Sequence, residues 1–209
     1  WETAKTTDIG IELGFFNNDL TLSLDYFVKK NVDLLAQIDL NLSSGQIFEI
    51  NSSREKPYVN TASVKNTGWE FMMNYRKQLT KDFHIDATFN IATLKNKVLS
   101  LGENVQPITS GAMSSYFNDA ASITMPGEAI GSFYGYKIDG FDAEGNFIFA
   151  DTDKNGVVNA NDKVILGSPI PDFTYGLNIN MEYKDFDLTV FFQGVQGNDI
   201  FRSKEHTSE

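Results

Sequence analysis

Twelve consecutive residues, DTDKNGVVNAND over 151–162, carry the clearest chemistry in the chain. They put oxygen-bearing side chains at loop positions 1, 3, 5, 9 and 12, namely Asp151, Asp153, Asn155, Asn159 and Asp162. Gly156 stands at position 6, and the main-chain carbonyl of Val157 is available at position 7. This is the spacing of an EF-hand calcium loop. A hard cation needs about six to eight oxygens, and the glycine allows the sharp turn that brings early and late ligands together. Position 12 departs from the pattern, because Asp162 is a methylene shorter than the usual glutamate; that weakens the grip or admits a smaller ion. No long helices flank the loop, so the expectation is a Ca2+ with a structural role, not a paired sensor. The competing reading is an Asx-rich turn that is merely solvated.

Enzyme signals are poor elsewhere. His84 and His206 are the two histidines, so a paired-histidine metal site and a Ser-His-Asp arrangement are both without support. Gly131, Gly135 and Gly140 lack the spacing of a phosphate-cradling loop. The absence of cysteine removes disulfides, thiolate metal ligands and cysteine nucleophiles together. With 17 basic against 28 acidic residues and a formal charge of -11, neither a nucleic-acid surface nor attraction to anionic lipid is expected, and cations are the favoured small partners.

The elements that would position this loop are long alternating strands. In 171–193, Phe173, Tyr175, Leu177, Ile179, Met181 and Tyr183 share one face of an extended chain, opposed to Thr174, Gly176, Asn178, Asn180 and Glu182. After a turn at Lys184-Asp185, Phe186, Leu188, Val190 and Phe192 oppose Asp187, Thr189 and Gln193, with Phe191 as the exception. Two further hairpins have the same design. Thr6 to Phe16 pairs with Leu20 to Val28 about a turn at 17–19, and Trp69 to Tyr75 pairs with Phe83 to Ile91 about a turn at 79–82. Each arm of the 171–193 hairpin is about the 9 to 11 residues that a tilted strand needs to cross hydrocarbon.

Between the hairpins, Lys29 to Lys65 reads as a long loop with a short strand or helix over Val32 to Leu42, and Lys95 to Gly127 as a second long polar connection. Ile130 to Ile138 reads as one short strand, and Phe141 to Ala150 as a small hairpin around 144–146. Glu12, Asp25, Glu70, Asp86, Glu182 and Asp187 all fall on the non-apolar face, while Tyr26, Trp69, Tyr75, Tyr175 and Tyr183 sit near strand ends as an aromatic girdle would. The fold class expected is therefore all-β, an antiparallel meander of long hairpins forming a segment of a transmembrane β-barrel with long loops. A soluble sandwich or lipocalin-like barrel has the same alternation and stays open on pattern alone.

Several stretches together resemble the C-terminal part of SusC/RagA-type TonB-dependent outer-membrane transporters. They are WETAKTTDIG (1–10), FFNN (15–18), DYF (25–27), NTGWE (66–70), GSFYGY (131–136), the 151–162 loop, GSPIPDFTYG (167–176) and FFQGVQGN (191–198). The resemblance spans nearly the whole chain and implies a 22-stranded barrel with an N-terminal plug, located in the bacterial outer membrane. It further implies energy supplied through TonB, a SusD-like surface lipoprotein as partner, contact with outer-membrane lipid, and glycans or peptides as cargo. Relative to that family the chain has no TonB box, plug, early barrel strands or closing strand, so it is expected to hold six to ten of the strands. In this reading 1–209 is a partial barrel, the polar face lines the lumen, and 151–162 is an extracellular cation loop. The alternatives are a secreted, soluble, β-rich calcium-binding module that recognises carbohydrate, and a β-sandwich glycosidase using wet-face carboxylates.

Overall fold

The computed structural model describes residues 1–37, 58–102, 105–112 and 120–202. In chain order the strands are β1 (Thr3–Phe15), β2 (Leu20–Gln37), β3 (Tyr58–Thr80), β4 (Phe83–Thr93), β5 (Lys95–Ser100), β6 (Ile108–Ala112), β7 (Ala120–Thr124), β8 (Ser132–Tyr136), β9 (Ile138–Phe141), β10 (Phe147–Phe149), β11 (Lys163–Gly167), β12 (Phe173–Tyr183) and β13 (Phe186–Gln196). A 3-10 turn, Ala160–Asp162, precedes β11.

The main sheet runs β1-β2-β3-β4-β12-β13 with every pairing antiparallel, and β5 adds to β3 beyond the end of β4. This is a curved piece of barrel wall that does not close on itself. Its register brings the six apolar faces together. Leu13 lies opposite Leu22, Leu22 opposite Met73, Met73 opposite Phe89, Phe89 opposite Leu177, and Leu177 opposite Phe192. Because side chains alternate with period two, a single-residue slip between any two strands would have split this row across both faces.

The short turns all lie at one end of the sheet and are tied to one another. The Arg76 amide donates to the Asp19 carbonyl at 2.7 Å, the Lys77 ammonium pairs with Asp19 at 2.9 Å, and the Lys184 amide donates to the Asp82 carbonyl at 2.9 Å. In the first turn Phe16, Asn17 and Asn18 all have positive φ, which two successive asparagines tolerate better than most residues.

Three sequence expectations change. Lys29 to Gln37 continues β2 and Tyr58 to Lys65 begins β3, so the described ends of the supposed first loop are strand; residues 38–57, including the rest of Val32 to Leu42, lie outside the described residues. The apolar alternation stops near Val28 because the strands leave the hydrocarbon there, and without a second apolar solvent the period-two signal vanishes although the ladder goes on. Lys95 to Gly127 contains β5, β6 and β7, whose polar alternation hid them. Ile130 to Ile138 is broken at Lys137, so that β8 joins a four-stranded sheet, β11-β8-β7-β6, and β9 pairs with β10 in the expected small hairpin.

The buried apolar residues among those described, Ala62, Val64, Val98, Leu101 and Ile123, all lie at the loop end, and Leu34 and Val105 pack against the first four. Val98 is also tied through its backbone to the chain before β8, donating to the Glu128 carbonyl at 2.8 Å and accepting from the Gly127 amide at 2.9 Å.

Candidate functional site: the two faces of the wall and the Asp151 loop

The two faces of the main sheet differ as two solvents would require. On the apolar face the side chains stand exposed, Ile11 at 58% and Leu188 at 54%, and the alternation keeps charge off this face through the middle rows of the six strands. The aromatic residues bound this band. Tyr26 and Trp69 sit at its loop-side limit with ring centroids 4.7 Å apart, and Phe83 and Tyr183 meet edge to face at 6.2 Å at its turn-side limit. Tyr26 and Trp69 lie far from the ends of their strands, since β2 and β3 run on beyond the band; the girdle marks the edge of the hydrocarbon and not the end of the ladder.

The opposite face is hydrogen-bonded side chain to side chain. Ser23 donates to Asp25 at 2.8 Å, Thr88 to Asn74 at 2.8 Å, Thr189 to Asn180 at 2.9 Å, and Arg76 holds Asp86 through Nε at 2.8 Å and Nη2 at 2.7 Å. The acidic residues expected there are all present: Asp25 faces Glu70, Glu182 faces Asp187, and His84 lies between Gln78 and Glu182. Phe191 shares this face opposite Asn178, as expected for the break in alternation of its hairpin. Gly10 keeps the wall thin beside Asp25, where a Cβ would run into the carboxylate.

The Asp151 loop closes as its spacing predicts. Carboxylate oxygens of Asp151, Asp153 and Asp162 all lie within 4.8 Å of one another. Asp151 accepts the Asn155 and Gly156 amides at 3.1 and 2.7 Å, and Asp153 accepts the Asn155 amide at 3.0 Å. The Asn155 side chain in turn accepts the Val157 amide at 2.8 Å. Gly156 has φ 87, the left-handed conformation that the sharp turn needs.

Asp162 has a second role that the ligand pattern did not show. It is wholly inaccessible to solvent, and its carboxylate accepts the Thr152 amide at 2.7 Å and the Asn159 amide at 2.8 Å, with the Asp153 amide at 3.3 Å. Asn159 caps the 3-10 turn with Oδ1 accepting the Asn161 amide at 2.9 Å, so residues 159 and 162 form a reciprocal capping box. The sequence signal was present, an Asx followed three residues later by a carboxylate. The Asn159 amide foremost, with the Asp153 and Thr152 amides behind it, holds the Asp162 carboxyl below the usual aspartate range. A similar device closes the β9–β10 hairpin, where Asp142 accepts the Asn146 side chain at 2.9 Å and the Asn146 and Glu144 amides at 2.7 and 3.0 Å, which lowers its pKa as well.

An antiparallel wall with one apolar, girdled face and one polar face, short turns at one end and long excursions at the other, defines a segment of an outer-membrane β-barrel. The chain belongs to the TonB dependent receptor-like β-barrel family, whose model matches residues 1–203. It is 36% identical over 216 residues to TonB-dependent receptor P3 of Formosa agariphila, covering 96% of this chain and 21% of that protein. It is 29% identical over 215 residues to TonB-dependent receptor SusC of Bacteroides thetaiotaomicron, covering 96% of this chain and 20% of that protein. Among solved structures it superposes on the RagAB peptide importer in its open-open state with TM-score 0.75 at 21% identity, covering 95% of this chain and 21% of that one. The chain thus spans about a fifth of the length of the relatives it matches. TonB-dependent receptors are outer-membrane proteins, and the outer membrane is where this wall segment resides.

Proposed function

We propose that this chain is the C-terminal portion of a barrel that imports glycans or peptides across the outer membrane, energised through TonB and working with a SusD-like surface lipoprotein. The observation that carries the reading is the face-consistent register of six strands, from Leu13 to Phe192 across a single apolar row. Similarity to SusC and to the RagAB peptide importer supports a partner of the RagB or SusD type and a nutrient as cargo. The protein acts by moving its cargo, with no covalent step assigned to any wall carboxylate. The short turns face the periplasm, and the long connections and the Asp151 loop face outward.

The test uses the full-length protein in its own cells. Uptake of a labelled glycan or peptide should stop when TonB is removed, and a surface lipoprotein should co-purify with the barrel in mild detergent. Uptake that continues without TonB would sink the reading.

The 151–162 loop fits a hard divalent cation by its donor set: three carboxylates converge, and their mutual repulsion is what a cation would relieve. Asp151, Asp153, Asn155, Asn159 and Asp162 would hold Ca2+ through side-chain oxygens and Val157 through its carbonyl. Bound there, the ion would stiffen the outer excursion and leave cargo chemistry untouched. Ca2+ titration followed by calorimetry should give a heat that Asp151→Ala abolishes; identical heats for both proteins would remove the ion from the loop.

A further inference from the structure

Lysines form a file across four neighbouring strands just beyond the loop-side girdle. Lys5 is paired with Lys30, Lys30 with Lys65, and Lys65 with Lys97, and one row nearer the hydrocarbon Lys95 is paired with Thr67. Two-residue steps along each strand connect these positions to Ile9, Tyr26 and Trp69 with no register shift between them, so all five lysines occupy the lipid side of the wall.

Three features of this file ask for an anion. Like charges placed directly opposite one another on adjacent strands destabilise a sheet, and here the juxtaposition occurs three times in succession. The chain has 28 acidic residues against 17 basic, yet Asp8, Asp25 and Glu70 on the same strands occupy the other face, and none of the five lysines forms an ion pair with a described residue. Lys5, Lys30, Lys95 and Lys97 are exposed, and Lys65 between them is half-buried.

The height of the file selects the anion. Lys65 is four residues above Trp69, about 14 Å along the strand and about 10 Å along the barrel axis once the tilt is allowed for. Trp69 and Tyr26 mark the headgroup boundary, so the lysines stand within the polar layer of the leaflet, at the level of lipid phosphates. Four strands about 4.8 Å apart make the file about 14 Å wide, enough to span neighbouring headgroup phosphates.

We infer that Lys5, Lys30, Lys65, Lys95 and Lys97 form a binding strip for the phosphorylated headgroups of outer-leaflet glycolipid. The strip replaces the cations that would otherwise bridge those phosphates and fixes a lipid shell on this sector of the barrel. It rests on the proposed outward placement of the loop end, and the two ideas are separable by experiment.

The full-length transporter is stripped of lipid and placed in phosphatidylcholine vesicles with or without diphosphoryl lipid A, and retained lipid A is counted by native mass spectrometry. Wild type should retain it, each single Lys→Gln change should weaken retention roughly fivefold, and K5Q/K30Q/K65Q/K97Q should lose it. K81Q/K184Q, at the turn end, should behave as wild type. Equal retention by the quadruple variant would overturn the proposal, as would displacement by inorganic phosphate at millimolar concentration, which would make the strip a general anion site. Loss of lipoprotein co-purification in the quadruple variant with lipid A retention intact would assign the strip to a protein partner and overturn it too. If the quadruple variant does not assemble, wild type decides: retention should fall steeply between low and high salt, and salt-independent retention would refute the strip. Maleimide labelling of Ala143→Cys from outside intact cells checks the orientation: no labelling overturns both the placement and the strip, whereas labelling with unselective lipid retention overturns the strip alone.

Discussion

In the wall, Leu188 and Phe192 stand 54% and 58% exposed, whereas in the excursion from Leu94 to Asp172 the side chains of Val98, Leu101 and Ile123 keep 0%, 3% and 5%. Both regions are antiparallel β-structure from one chain, yet one leaves its apolar groups outward and the other folds them in. The wall delegates burial to lipid, so its stability depends on a face that matches the bilayer. The excursion has water on its outside and has to make its own interior, which it does with a few aliphatic contacts, a ladder onto β5 and polar clasps. One of those clasps is Asp199, which accepts the Ser168 amide at 2.9 Å and donates its own amide to the Ser168 carbonyl at 2.7 Å.

The largest effect that would break this comparison is a charge on the lipid side. Leu22→Arg or Leu177→Arg, in the middle apolar row, should cost about 2 to 4 kcal/mol in refolding of the full-length barrel into bilayers, measured by urea titration. Asn178→Arg, one residue away on the lumen side, should cost far less. Equal costs would mean that both faces meet the same environment and that the wall packs like a soluble sheet.

Cation removal should act on the excursion alone. If Ca2+ is supplied at about a hundred times its dissociation constant, chelation should lower the stability of the 151–162 segment by about 2.7 kcal/mol, while protection of β12 and β13 against hydrogen exchange stays unchanged. Asp153→Ala should show the deficit only when calcium is present. A loss of equal size with chelator present would make the acids a purely protein-internal clasp.

How far the sequence could be read follows the same division. Where two solvents act on a strand, period-two alternation is strong, and the apolar faces of all six wall strands were legible, with Phe191 as the break in the last hairpin; Phe27 and Met72 break the alternation on β2 and β3 in the same way. Where one solvent surrounds the chain, alternation fades: the outer half of β3 and the whole of β5 to β7 read as loop, and the outer part of β2 reads only as a short strand or helix from Val32, although their ladders are continuous. The convergence of Asp151, Asp153 and Asp162 was legible because it follows from a local spacing. The capping role of Asp162 was missed because it depends on where the carboxylate turns after the chain closes. The lysine file was not readable at all, since Lys5, Lys30, Lys65 and Lys97 are far apart in sequence and only the register sets them side by side.

A smaller difference separates interior packing from lipid packing. Val98→Ala removes a fully buried side chain and should cost about 2 kcal/mol locally, visible as faster exchange of the Gly127 amide, which is bonded to the Val98 carbonyl. Val190→Ala on the wall should cost less, because lipid chains refill the space that a rigid interior leaves empty. If Val190→Ala proves the more costly, that position is packed against protein and the wall is not a lipid surface there.

The smallest effect concerns acid. The folded Asp162 carboxyl lies below its ordinary value, so the stability it contributes is complete above the unfolded pKa, about 3.9, and is lost as pH falls through the lowered folded value. Exchange protection of the Thr152 and Asn159 amides should therefore hold down to about pH 4 and collapse below it, with wall amides unaffected over the same range. Asp162→Asn should flatten that profile, since the amide keeps one acceptor and cannot titrate. A profile that survives the substitution would mean that the Asp162 cap is not the source of the excursion's sensitivity to acid.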